Sequence, residues 1–164
     1  MKFPLFLTFA LCCFNSFGAD LIVGKPAPDI QAKTLVTGET FQLSQKKGKT
    51  IIVNFWATWC APCKAEMPAL QAYLEQHKAE GLEILAVSMD SPRDEPAVRK
   101  IAQQFSFAVA LSSDTQAKGF GRIWRMPTTF VIDGEGVLRR NGQVGDAEIT
   151  ADELDALVTP LLRK

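Results

Sequence analysis

The sequence predicts an α/β domain built on a mixed β-sheet. Short β-branched apolar runs alternate with helix-period segments, the pattern of parallel strands joined by helices. A glycine-rich turn near the carboxyl end then joins two strand-like runs into a hairpin, which adds antiparallel pairing. The chain has 164 residues, 47% hydrophobic and 22% charged, which suits one sizeable core and is too short for two ordinary domains.

The elements follow in order. Residues 24–44 form an extended preface: Pro26 and Pro28 enforce extended backbone, and runs at 29–35 and 40–43 flank a turn at Val36-Thr37-Gly38-Glu39. Residues 45–49 are a polar connection. Ile51-Ile52-Val53-Asn54-Phe55-Trp56 is almost continuously apolar, the signature of a strand buried on both faces. From Ala61 the period becomes helical, with Met67, Leu70 and Leu74 on one face, and Pro68 is expected to kink that helix. A second strand covers 82–88. Ser91-Pro92-Arg93-Asp94 reads as a helix start, with Ser91 as cap and Pro92 at the first position, the helix running to about Phe105. A third strand at 107–111 and a short helix at 115–120 follow, the latter ended by Gly121. Strand 128–132 stops at Asp133-Gly134-Glu135-Gly136 and returns over 137–141. Thr150-Ala151-Asp152-Glu153 is a capping box before a last helix carrying Leu154, Leu157, Val158 and Leu161.

The first residues stand apart. Lys2, an apolar run at 5–14 and small residues ending at Gly18 have the anatomy of a secretory signal peptide over 1–18. An uncleaved anchor is the alternative, although the run is short of the roughly 20 residues that span a bilayer. A lipoprotein site is a poor match, because Leu11 precedes Cys12 where a small residue belongs. Residues 19–164 are then the folded domain. Eighteen basic residues balance eighteen acidic ones, which argues against a broad footprint for nucleic acid. One histidine, His77, leaves little material for His-rich metal sites. It reads as an exposed helix residue, and Arg139-Arg140 and Lys46-Lys47 read as solvated charges.

Loss of the leader would leave two cysteines, Cys60 and Cys63. A pair this close constrains the unfolded chain little, so it is a candidate for chemistry rather than for stapling. The pair falls where a buried strand hands over to a helix. There Cys60 meets unpaired backbone N–H groups and the positive end of the helix dipole, which stabilise a thiolate. Cys63 comes round on the first turn, and Pro62 costs little there. A zinc site would need two further ligands that the mature chain does not supply in suitable number. Met126-Pro127-Thr128 lies just before a strand; on local sequence alone Pro127 reads as an ordinary trans proline.

Residues 54–68 (NFWATWCAPCKAEMP) resemble the active-site stretch of exported thioredoxin-like proteins of the TlpA, ResA and DsbE kind. Residues 24–29 (GKPAPD) and 126–136 (MPTTFVIDGEG) match the same group in the same order, so that the resemblance spans roughly 22–162. It implies a thioredoxin-like fold: a mixed central sheet flanked by helices, with an N-terminal β-hairpin and a central αβ insertion. Strand 51–56 would be central, between 82–88 and 128–132, and Pro127 would be cis. The resemblance also implies an exported thiol–disulfide oxidoreductase, working as a reductant of disulfides in envelope clients, such as apocytochrome c in cytochrome c maturation. It implies a periplasmic location, a membrane thiol carrier of the DsbD or CcdA kind as electron donor, no cofactor or metal, and a monomer.

The candidate site is Cys60 and Cys63 as a redox-active pair, with Trp59, Met126 and Pro127 as the client-binding rim, and Trp56 and Trp59 each read as half core and half rim. Thioredoxins carry a buried aspartate in the strand before the cysteines, where this chain has Asn54. A proton acceptor for Cys63 must then come from elsewhere. Glu66, one turn on, and Asp90, after the second strand, are the candidates, with Asp94 and Glu95 competing for the second place. The plain alternatives are an acid complementing the helix dipole for Glu66 and a solvated loop acid for Asp90. Two rivals are a peroxiredoxin-type peroxidase, disfavoured because Ala57 stands where such enzymes use Thr, and a copper(I)-binding chaperone using both thiolates.

Overall fold

The computed structural model describes residues 21–162, so the expected leader over 1–18 and the boundary at 19 lie outside the described residues. The elements run β1 (Gln31–Thr34), β2 (Thr40–Gln42), β3 (Thr50–Trp56), α1 (Ala61–His77), β4 (Leu82–Ser88), α2 (Glu95–Ala102), β5 (Ala108–Gln116), β6 (Thr128–Ile132), β7 (Leu138–Arg140) and α3 (Ala151–Leu157). Seven strands form one sheet in the order β2-β1-β5-β4-β3-β6-β7. β3 and β4 pair in parallel, as do β4 and β5, while β6 runs antiparallel to β3. The expected thioredoxin-like arrangement is the one observed: β3 is flanked by β4 and β6. The β1–β2 hairpin joins the sheet through β5 of the inserted α2–β5 unit.

β3 is buried along its whole length, and its side chains sort by parity. Ile52 and Trp56 face a core shared with Met67 and Leu70 of α1, Val98 and Ala102 of α2, and Leu154 of α3. Ile51, Val53 and Phe55 face a second core with Phe120, Phe130 and Leu138. There Phe55, Phe120 and Phe130 meet with ring centroids 5.0–6.2 Å apart, the tilted and edge-on geometry that aromatic quadrupoles favour. Asn54 has the parity of Ile52 and Trp56. That places a polar side chain beneath α1, opposite Thr129 of β6 in register.

Three readings need correction. The helix expected from Ser91 begins instead as a single 3₁₀ turn over Pro92–Asp94, with no side-chain cap from Ser91, and α2 starts at Glu95. Pro96 has no N–H to give the Pro92 carbonyl, so that carbonyl is met by Glu95 N–H and the turn tightens. The helix expected at 115–120 shrinks to a 3₁₀ turn over Lys118–Phe120, because β5 runs on to Gln116 and pairs there with Gln31 of β1. Its polar Ser112-Ser113-Asp114 stretch falls in the register shift between the paired Ala110 and Thr115, and carries no apolar pattern. His77 is half-buried rather than exposed: its ring packs on Tyr73 and its Nδ1 bonds Glu80.

α1 is one uninterrupted helix across Pro68, which lies on its exposed face. Thr150 caps α3 by accepting Glu153 N–H at 3.2 Å, though the Glu153 carboxylate turns to Arg140 instead of back to the cap.

The connection after β7 crosses β6 at Gly142. A Cβ there would lie 2.4 Å from the Thr129 carbonyl oxygen and 2.5 Å from its nitrogen. Neither backbone atom can yield without disturbing β6. Gly142→Ala is therefore expected to destabilise the fold by about 1–3 kcal/mol, read as a lower urea midpoint at unchanged m-value.

Candidate active site

β3 ends at Trp56, whose carbonyl accepts Met89 N–H at 2.8 Å. The loop that follows is clamped by Asp90: its carboxylate accepts Thr58 N–H at 2.8 Å, Thr58 Oγ1–H at 2.6 Å and Ser88 Oγ–H at 2.7 Å. Cys60 is the N-cap of α1, in extended conformation, and its sulfur accepts Cys63 N–H at 3.3 Å. A sulfur in that place meets the positive end of the helix, which lowers the cost of carrying charge. Cys60 and Cys63 are joined in a disulfide. Cys60 is the more accessible, 6% against 1% exposed, because Cys63 belongs to the inward stripe of α1 with Glu66, Met67 and Leu70.

Glu66 is not an acid displayed at the helix start. It is buried between α1 and the sheet, where Asn54 Nδ2–H donates to Oε2 at 3.1 Å and Ile149 N–H donates to Oε1 at 2.8 Å. Asn54 Nδ2 also reaches Thr129 Oγ1 at 2.9 Å, so the residues paired across β3 and β6 support the carboxyl. Desolvation pushes the Glu66 pKa up to about 7, against the Ile149 and Asn54 hydrogen bonds and the Arg140 charge, which pull it down. A carboxyl poised there can take and return a proton near neutrality. Asp94 and Glu95, the competing acids, lie on the 3₁₀ turn and at the start of α2; Glu95 pairs with Arg99.

The model of the AhpC/TSA family matches residues 23–141. The chain belongs to the AhpC/TSA family. Within it, the chain is 36% identical over 144 residues to the thiol-disulfide oxidoreductase ResA of Oceanobacillus iheyensis, covering 85% of this chain and 72% of the relative. It is 38% identical to the thioredoxin-like protein YneN of Bacillus subtilis, covering 71% of this chain and 68% of the relative. A solved structure from Chlorobium tepidum, described as a thiol:disulfide interchange protein DsbE, superposes with a TM-score of 0.71 at 30% identity, over 87% of this chain and 99% of that one. These relatives and the Cys60–Cys63 disulfide make this AhpC/TSA protein a thiol–disulfide oxidoreductase, whose substrates are disulfide-bearing clients.

The rim of the site is apolar. Trp59 is 68% exposed, while Trp56 is fully buried in the core with both cysteines. The Met126–Pro127 peptide bond is cis, as the resemblance implies, and Met126 packs on that same core. Sequence reasoning missed Trp124, which is 64% exposed two residues before Met126. It carries the Arg125 guanidinium 5.2 Å from its ring centre, and Arg125 donates to the Gly142 and Gly145 carbonyls. It also missed Ile149, which acts through its backbone and leaves no side-chain signal. Arg140 was read as solvated and is only 8% exposed; Arg139, half-buried, pairs with Asp133. Lys46 sits over the Phe41 ring and pairs with Glu83, so it too is less free than expected. A cleft of about 540 Å³ lined by Phe41, Leu74, Phe105 and Phe107 contains neither cysteine.

With a pKa near 4.5 in the unfolded chain and near 7 in the fold, Glu66 binds more proton in the native state between those values. Stability of the oxidised protein therefore falls as pH rises through that window. At roughly 1.4 kcal/mol per pH unit the loss amounts to at most about 3 kcal/mol. Urea unfolding at about pH 5 and about pH 8 should show this fall, and Glu66→Gln should flatten it.

Proposed function

We propose that the protein is an exported reductase of disulfides in envelope proteins, with Cys60 as the attacking thiol. The observation that carries the reading is the site's asymmetry: Cys60 caps α1 and is the more accessible of the pair, and Cys63 lies behind it on the stripe that holds Glu66. In the reduced enzyme the Cys60 thiolate attacks one sulfur of a client disulfide, forming a mixed disulfide and expelling the other client sulfur as thiolate. Cys63 then gives its proton to a base and attacks the Cys60 sulfur, closing the Cys60–Cys63 disulfide and releasing the second client thiolate. Two electrons pass from enzyme to client. Glu66 is that base, directly or through water, one turn from Cys63. Asp90 acts at one remove, because its oxygens are committed to Thr58 and Ser88; it positions the loop before Cys60.

Trp59 and the edge at Met126 and Pro127 receive the client, whose extended chain pairs with the Met126 backbone as a short added strand. Residues 1–18 direct export to the periplasm, leaving 19–164 as the working domain, a monomer. Because the compartment is oxidising, a membrane thiol carrier of the DsbD or CcdA kind returns the enzyme to the dithiol state. Apocytochrome c cysteines are the client class that the resemblance favours. A peroxidase reading of the family match is disfavoured by Ala57, which offers no hydroxyl, and by Thr58, whose hydroxyl is bonded to Asp90.

Cys63→Ser should accumulate mixed disulfides through Cys60, and Cys60→Ser should not; the reverse pattern would reverse the assignment. Disulfide reduction assayed beside peroxide turnover and copper(I) titration separates the three chemistries, and only the first is expected at appreciable rate. Glu66→Gln should lower the apparent thiol pKa of the reduced enzyme, since a carboxylate beside a thiolate raises it by like-charge repulsion. Alkylation rate against pH measures this, and an unmoved curve would remove Glu66 from the mechanism.

A further inference from the structure

Arg140 ends β7 on the same side of the sheet as the buried carboxyl, and its guanidinium donates four hydrogen bonds. Nε–H donates to Glu153 Oε1 at 2.6 Å, one terminal nitrogen to the Thr129 carbonyl at 2.7 Å, and the other to the Asp146 and Glu148 carbonyls at 3.0 and 3.1 Å. Three of these four acceptors are backbone carbonyls, two in the connection that ends at Ile149, whose N–H bonds Glu66. The third carbonyl, that of Thr129, belongs to the residue whose hydroxyl bonds Asn54, the other partner of Glu66. One planar cation thus grips both supports of the carboxyl, a task for the rigid fork of arginine and not for a point charge.

We propose that Arg140 is a positioning residue for Glu66: it fixes segment 146–149 so that Ile149 N–H meets the carboxyl, and it supplies the positive charge facing it. The inference rests on the reading that Glu66 serves the dithiol, but it concerns how Glu66 is tuned and can be tested apart from it. The charged groups around Glu66 are few. Arg140 from β7 favours its ionised form and Glu148 from the 146–149 segment opposes it. Glu153 from α3 partly neutralises Arg140. β3 and β6 contribute the neutral Asn54 and Thr129, and α1 contributes the cysteines, which do not titrate in the disulfide form.

The experiment follows the side-chain carboxyl carbon of Glu66 by NMR against pH in the oxidised protein, where no thiol interferes. Arg140→Met removes charge and fork together, and the Glu66 midpoint should rise by about 1 pH unit. Arg140→Lys keeps the charge but cannot hold three carbonyls, so its midpoint should fall between wild type and Arg140→Met, with faster exchange of the Ile149 amide. A folded Arg140→Met protein titrating as wild type would overturn the proposal, leaving Arg140 a staple of the fold. Should neither variant fold, Glu153→Gln decides: with the counter-charge gone and Arg140 in place, the midpoint should drop, and an unmoved midpoint overturns the proposal. The pH profile of disulfide reduction separates the two readings. If the midpoint moves and the profile does not, Arg140 still positions Glu66, and the part given to Glu66 in the reaction fails.

Discussion

A carboxyl taken out of water between a helix and a sheet costs free energy unless its oxygens are bonded, and Glu66 sets that requirement for the elements around it. β3 supplies Asn54, β6 supplies the threonine that steadies Asn54, and the connection to α3 supplies Ile149 N–H. The last of these explains an otherwise costly path. For Ile149 to arrive, the chain after β7 must cross β6 so closely that residue 142 has no room for a side chain. It must also be tied down through its carbonyls, by Arg125 at Gly142 and Gly145 and by Arg140 at Asp146 and Glu148.

The dithiol end of the molecule is built by a different economy. Asp90 closes the end of β4 onto the loop before Cys60 with three short hydrogen bonds, and Met89 ties the same end to Trp56. The Cys60 sulfur is thereby placed at the mouth of α1 by strands buried in the core. Asp90 accepts three hydrogen bonds from Thr58 and Ser88, whereas Glu66 accepts one at each oxygen.

Much of this was legible in the residues. The apolar run 51–56, the strand at 82–88 and the turn at 133–136 are local signals, and the W-C-x-P-C block placed the pair at a strand–helix junction. Burial of Glu66 could have been read from its spacing: Cys63, Glu66, Met67 and Leu70 fall on one helical stripe, and Asn54 shares parity with Ile52 and Trp56. The roles of Arg140 and Ile149 could not. Arg140 bonds mainly to backbone carbonyls, which no side-chain pattern marks, and Ile149 serves through its N–H, which any residue but proline possesses. The second half of β5 was hidden for a similar reason, since its pairing with β1 is a backbone affair at a polar edge.

Asn54 shows why the acid sits on the helix and not on the strand. An aspartate at 54 beside Glu66 would put two carboxyls in one dry site, where both cannot ionise without strong repulsion. An amide avoids that and serves either state of its neighbour. With Nδ2 toward Glu66 it donates to the carboxylate; its Oδ1 is buried and has no partner, and rotation of the amide would turn that oxygen toward a protonated carboxyl and the Thr129 hydroxyl. Glu66 is then carried on the same helix as Cys63, one turn away, so any rearrangement of the helix start on reduction moves sulfur and acid together. A carboxyl on the strand would stay behind.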